Sequence, residues 1–163
     1  MMNPDLRGGI FVRENKSMTW FTILINFVLF ASAFLFLFNA YYFFSGALHQ
    51  KHKTLFYWMH PTLKALDIIM GILFVSLAVY TIYTRIQLVK FSALAPKLLP
   101  RVYLIPTIMN VVYLILLFLI IGFDFDTSIL SYVIHFVPWT VLYIVLVWEN
   151  KKYIDERSDM FIN

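Results

Sequence analysis

Long stretches without a charge constrain this chain more than any other feature. No Asp, Glu, Lys or Arg occurs between Lys16 and Lys51, between Arg101 and Asp124, or between Asp126 and Glu149. A fourth stretch, residues 68–84, is uncharged over 17 positions. A helix needs about 20 predominantly apolar residues to cross a hydrocarbon core of roughly 30 Å. Inside that core each segment must satisfy its own backbone N–H and C=O groups, so helix is the state open to runs this long. The many Phe, Val and Ile residues favour strands in water, but lipid overrides that preference. The sequence therefore predicts an all-α polytopic membrane protein, an antiparallel bundle of four transmembrane helices. Its spans fall at about residues 19–45, 62–83, 102–122 and 128–148, between tails 1–18 and 149–163.

Composition agrees. The 163 residues are 61% hydrophobic and only 13% charged, against about 25% charged in soluble domains. Little chain is left for a soluble domain. The formal charge of +4 does not signal nucleic acid. The basic residues flank the apolar runs, and no contiguous basic face is present. Cysteine is absent, which excludes disulfides, thiolate metal sites and thiol catalysis. Arg7, Arg13 and Lys16 ahead of an apolar run resemble the start of a signal peptide. The run continues to Gln50, well beyond the roughly 7–15 residues of a signal-peptide core, so an uncleaved first span is expected.

Lys and Arg set the orientation. The N-terminal tail carries three, the connection between spans 2 and 3 carries four (Arg85, Lys90, Lys97, Arg101), and the C-terminal tail carries three. The other side holds Lys51, Lys53 and Lys64, and the turn at 123–127 has none. Both termini are thus expected in the cytoplasm. Residues 55–59, within the outer connection, should press into the headgroups. The connection 85–100 should extend helix 2 and then lie along anionic lipid, stopping at Pro96 and Pro100. Pro106 and Pro138 fall inside spans 3 and 4, where each removes a helical hydrogen bond.

Polar side chains at membrane depth are the candidate functional residues: Asn26, Asn39, Asp67, Asn110 and His135. At about 1.5 Å rise per residue, Asn26 and Asn110 each lie roughly 12 Å from the cytoplasmic ends of their spans, and both suit interhelical hydrogen bonding. Asn39, Asp67 and His135 lie nearer the outer surface. Asp67 is the one acidic residue within a span. Intramembrane charge points to ion or proton handling, but water and Lys64, one turn away, suit a structural role equally. His135 is placed to bond Asp67 across the bundle as a proton-responsive pair, or to bond a hydroxyl or a carbonyl freed by Pro138.

His49, His52 and His60 match no zinc spacing, and no metal or cofactor is expected. The chain has no Gly-rich phosphate loop, no H-E-x-x-H helix and no Ser/His/Asp elbow. Catalytic residues are not expected, and neither is an enzyme.

The C-terminal segment Asn150-Lys151-Lys152-Tyr153-Ile154-Asp155-Glu156-Arg157-Ser158-Asp159-Met160-Phe161-Ile162-Asn163 resembles a tail motif of the type N-K-x-Y-F-x-K-R-x-x-L-F. Leu63-Lys64-Ala65-Leu66-Asp67-Ile68-Ile69-Met70-Gly71, Tyr83-Thr84-Arg85 and Ala95-Pro96-Lys97-Leu98-Leu99 are similar to further segments of the same group. That group comprises small, uncharacterised four-helix membrane proteins of Gram-positive, often gut-dwelling bacteria. The resemblance implies a bacterial plasma membrane and no activity. Some members carry a zinc-ribbon head, which a cysteine-free chain lacks.

Two functional expectations remain. One is a membrane scaffold or accessory subunit that packs against itself or a membrane-protein partner, with small residues Ala31, Ala33 and Ala40 as the helix-packing face. The other is a small oligomeric transporter or channel built on Asp67 and His135.

Overall fold

The computed structural model describes residues 19–121, 127–156 and 161. The tail 1–18, the turn 122–126 and most of the segment beyond 156 lie outside the described residues. Every regular element described is helical. Four helices are long and apolar enough to cross a membrane: Thr19–Ser45, Pro61–Val89, Ala95–Ile121 and Tyr132–Asp155.

The first span is not one uniform helix. α1 (Thr19–Ile23) passes into a π-helical turn, Leu24–Val28, and then into α2 (Leu29–Ser45). A π turn widens the helix and loosens its hydrogen-bond ladder. Here the carbonyl of Ile25 accepts the Nε–H of Arg85 from the second span, at 3.0 Å.

α2 stops at Gly46, whose φ of 65° is left-handed and suits a residue without a side chain. A 3₁₀ turn, Ala47–His52, and the short α3 (Lys53–Met59) follow. On α3, Trp58 is 80% exposed, and Leu55 and Met59 are also open, while Tyr57 is half-buried. α4 (Pro61–Val89) begins with Pro61 in its first turn, where the missing N–H costs nothing. It runs six residues beyond the expected 83. Residues 90–94 then turn the chain, with Phe91 at a left-handed φ of 50°.

The connection does extend helix 2, as expected, to Val89, but this turn replaces the stretch expected to lie along lipid after it. α5 (Ala95–Ile121) starts at once, and Pro96 occupies its first turn instead of ending a helix. The reason is the same tolerance for proline at a helix start that Pro61 uses. α6 (Thr127–Asp155) continues past the expected 148; α5 runs through Pro100, also expected as a stop, and through Pro106, and α6 through Pro138, as single helices.

The contacts fix which helix ends meet. Arg85 reaches Ile25 at one end of the α2–α4 pair, Phe43 stacks on Phe74 at 5.5 Å between, and His49 meets Asp67 at the other. At the end nearer the chain termini, Phe21, Phe91 and Phe161 pack ring on ring. α5 packs mainly on α6 and also on α4.

Small residues let α2 and α4 approach. Gly71 faces the Phe44 ring so closely that an added Cβ would stand 2.6 Å from it. Ala33 and Ala40 are buried too, and Ala33 lines a groove shared with Ala78 of α4. The small-residue face expected to bind a partner is therefore largely consumed inside the fold. What the first span turns outward is aromatic: Phe34 is 69% exposed, and Phe38, Tyr41 and Phe44 are open with it.

Gly71→Leu should lower stability by about 1–3 kcal/mol, the usual cost of overpacking. Because the Phe44 ring is half exposed and is what the new side chain strikes, Phe44→Ala should recover much of the loss. Thermal unfolding in detergent of the single and double variants measures this.

Candidate functional site

Asp67 lies six residues into α4, with its carboxylate turned inward and 1% exposed. Burying a charge without partners is severely unfavourable, so the fold supplies donors to both oxygens. The Tyr57 hydroxyl donates to Oδ2 at 2.6 Å, and the Tyr113 hydroxyl donates to Oδ1 at 2.8 Å. His49 Nε2 stands 2.7 Å from Oδ2, and its Nδ1 stands 2.6 Å from the Tyr132 hydroxyl. A neutral imidazole with its proton on Nε2 satisfies every one of these bonds, donating to Asp67 and accepting from Tyr132. Protonation of the ring makes Nδ1 a donor and reverses only the Tyr132 bond.

Each donor arrives on a different element. His49 comes from the 3₁₀ turn after the first span, Tyr57 from α3, Tyr113 from α5 and Tyr132 from α6. Gly46 makes room for one of them: a Cβ there would lie 2.6 Å from the Tyr57 hydroxyl. The carboxylate, with the imidazole it holds, thus ties together the second, third and fourth spans and the connection that follows the first. Tyr57 lies outside the spans. Its burial, and then the hydrogen bond and negative charge of Asp67, hold its phenol well above the usual tyrosine range.

Below this cluster the bundle is filled with rings. Tyr113 packs edge-on against Phe43 at 5.1 Å and tilts on Phe136 at 5.2 Å. Phe74 and Phe36 continue the column, and Tyr143 carries it to Tyr103. Tyr103 ends it in a hydrogen bond with Ser32 at 3.2 Å.

The sequence candidates fare differently. Asp67 is not at a wetted position, because α3 folds over it with Tyr57. Its imidazole partner is His49, not His135. The His135 ring lies flat against Tyr42 at 5.6 Å, half-buried, with Phe136 at its edge. Asn39 returns its amide to its own helix, at the carbonyl of Leu35. Asn110 is buried and meets Thr140 Oγ1 at 3.5 Å, a long contact between the third and fourth spans. Asn26 does not share that interior position. It lies in the π turn, exposed, with no side-chain hydrogen bond among the described residues. Among the described residues, no group of three or more His, Cys, Asp or Glu is placed to hold a metal ion.

His49 and the three tyrosines escaped the sequence reading, which put Tyr57 at the headgroups. Depth could have found them. A buried Asp requires donors at its own level, and Tyr113 and Tyr132 lie about as far from the same end of their helices.

Fold and site together define a multi-pass α-helical membrane protein whose spans are joined at one end by a buried carboxylate. No protein family, curated protein or solved structure matches the chain.

Tyr113→Phe removes one hydrogen bond to a charged group and should cost about 1.5–3 kcal/mol. The same change in an Asp67→Asn background should cost clearly less, a coupling that a double-mutant cycle in detergent reads directly. For Tyr57 the sign follows from its raised pKa. The neutral phenol is favoured by the fold, so its contribution is full below the unfolded value of about 10 and is lost as pH rises above it. Tyr57→Phe should therefore give a shallower alkaline loss of stability than the unaltered protein.

Proposed function

We propose that the protein is an integral membrane scaffold or accessory subunit, acting through helix packing with a second copy or with another membrane protein. The ring column carries this reading. A transporter or channel needs a polar route or a solute cavity near the middle of the membrane, and the interior of this bundle is occupied by Phe36, Phe43, Phe74, Tyr113, Phe136 and Tyr143. The intramembrane charge is fully engaged with its own chain. Action is left to the outer surface, where the aromatic face of the first span offers a broad rigid area. The Lys and Arg bias supports an antiparallel bundle with both termini in the cytoplasm, and the family resemblance supports a bacterial plasma membrane.

The second reading, proton or ion handling, draws on the buried Asp67–His49 pair at 2.7 Å. It no longer draws on His135.

The cysteine-free chain permits a direct test. Single cysteines at Phe34 and Phe38, and at Leu119 on the third span as reference, are treated with a short bifunctional thiol reagent in native membranes. The scaffold reading predicts cross-linking, to a second copy or to one stoichiometric companion, at the first-span positions. A monomer without companions at all three positions would overturn it. Proton uptake into proteoliposomes that disappears in Asp67→Asn and His49→Ala would favour the second reading instead.

A further inference from the structure

A groove of about 560 Å³ runs along the outside of the bundle between α2 and α4. Phe30, Ala33, Phe34, Ala78, Val79 and Ile82 line it. Its walls are apolar, and its floor is the seam where the two alanines bring the helices together. Its size is that of a ligand site, which falls at about 300–1,000 Å³. Apolar walls alone fit any hydrocarbon, so the polar groups at its end decide what it holds.

Two such groups stand there. The Arg85 guanidinium lies over the Phe30 ring, 4.3 Å from its centre, and its Nε–H is bonded to the Ile25 carbonyl. These two contacts fix the plane of the side chain. The terminal Nη groups have no partner among the described residues, and the residue is half-buried. α4 ends four residues later, at Val89, so Arg85 sits at the level where a spanning helix leaves hydrocarbon. Asn26 adjoins Ile25 and precedes Phe30 by about one turn on the same side of the helix. Its exposed amide also lacks a partner among the described residues.

A held guanidinium with free donors matches a phosphate. A primary amide donor and acceptor beside it matches an ester carbonyl. An apolar groove leading from both matches an acyl chain. We propose that this groove is a binding site for one diacyl glycerophospholipid, with the phosphate on Arg85, the glycerol esters at Asn26 and an acyl chain between α2 and α4. The π turn is then part of the site, because it frees the Ile25 carbonyl that orients Arg85. The groove shares Phe34 with the aromatic face of the scaffold role, so lipid retention and chain–chain association are read separately in the test.

The test uses the full chain in mild detergent and native mass spectrometry with three probes: dioleoyl phosphatidylglycerol, dioleoylglycerol and glycerol 3-phosphate. One retained phosphatidylglycerol per chain is expected, with neither of the part-molecules retained. Arg85→Gln should weaken retention by about tenfold or more, the scale of one charge-assisted hydrogen bond. Since Arg85→Gln also removes the Ile25 contact and risks the fold, Val79→Trp provides a second variant. Val79 is 67% exposed, so the larger ring fills the groove without entering the core. It should abolish retention at an unchanged unfolding temperature. Equal retention of dioleoylglycerol, or retention unaffected by Val79→Trp, overturns the proposal. So does a Val79→Trp variant that loses a chain–chain dimer while keeping its lipid.

Discussion

Everything at the end of the bundle away from the tails depends on one carboxylate. Asp67 is a carboxyl group buried among apolar helices, a placement that a fold tolerates only with close hydrogen-bond partners. Three groups provide them directly and a fourth holds the imidazole in place. Because these donors sit on four separate elements, satisfying Asp67 also sets how the helices stand. In lipid there is no hydrophobic force between helices to do this; packing and hydrogen bonds must. A fully connected polar network specifies one arrangement, whereas a partly satisfied one is costly. Here the network is closed by tyrosine and histidine, whose apolar bodies extend the ring column below while their polar tips meet the carboxylate.

The two ends of the molecule are held differently. Away from Asp67, α2 and α4 come together at Ala33 and Ala78, and beyond them rings stack at Phe21 and Phe91. The π turn in the first span belongs to this second regime. Within it Leu29 N–H bonds Leu24 instead of Ile25, and the Ile25 carbonyl accepts from Arg85 of the second span. Arg85 therefore joins the first and second spans near one end, as Asp67 joins the second and third through Tyr113 at the opposite end.

The spans were legible because lipid leaves long uncharged runs no choice of secondary structure. The place of Asp67 near the start of its helix was legible for the same reason, by counting residues along the chain. Its partners were not. Rotation about a helix axis decides whether a side chain faces the bundle or the lipid, and helices apolar all round carry no periodicity to reveal that rotation. So Asn26 and Asn110, matched in depth, part company: one faces outward and the other inward. His135 lost Asp67 to His49 because the connection after the first span folds back over the bundle instead of lying on the surface. Of the alanine face, Ala33 and Ala40 are buried within the chain itself, and Ala31 is half-buried.

The central claim is that Asp67 holds the 3₁₀ turn and α3 onto the four spans. Backbone amide exchange of the protein in lipid nanodiscs, compared with that of Asp67→Asn, tests it most directly. Faster exchange concentrated in Ala47–His52 and Lys53–Met59 is expected, with Leu88, Leu99 and Val102 at the other end unchanged. Unaltered protection at residues 47–59, or a loss spread evenly over all helices, would contradict it.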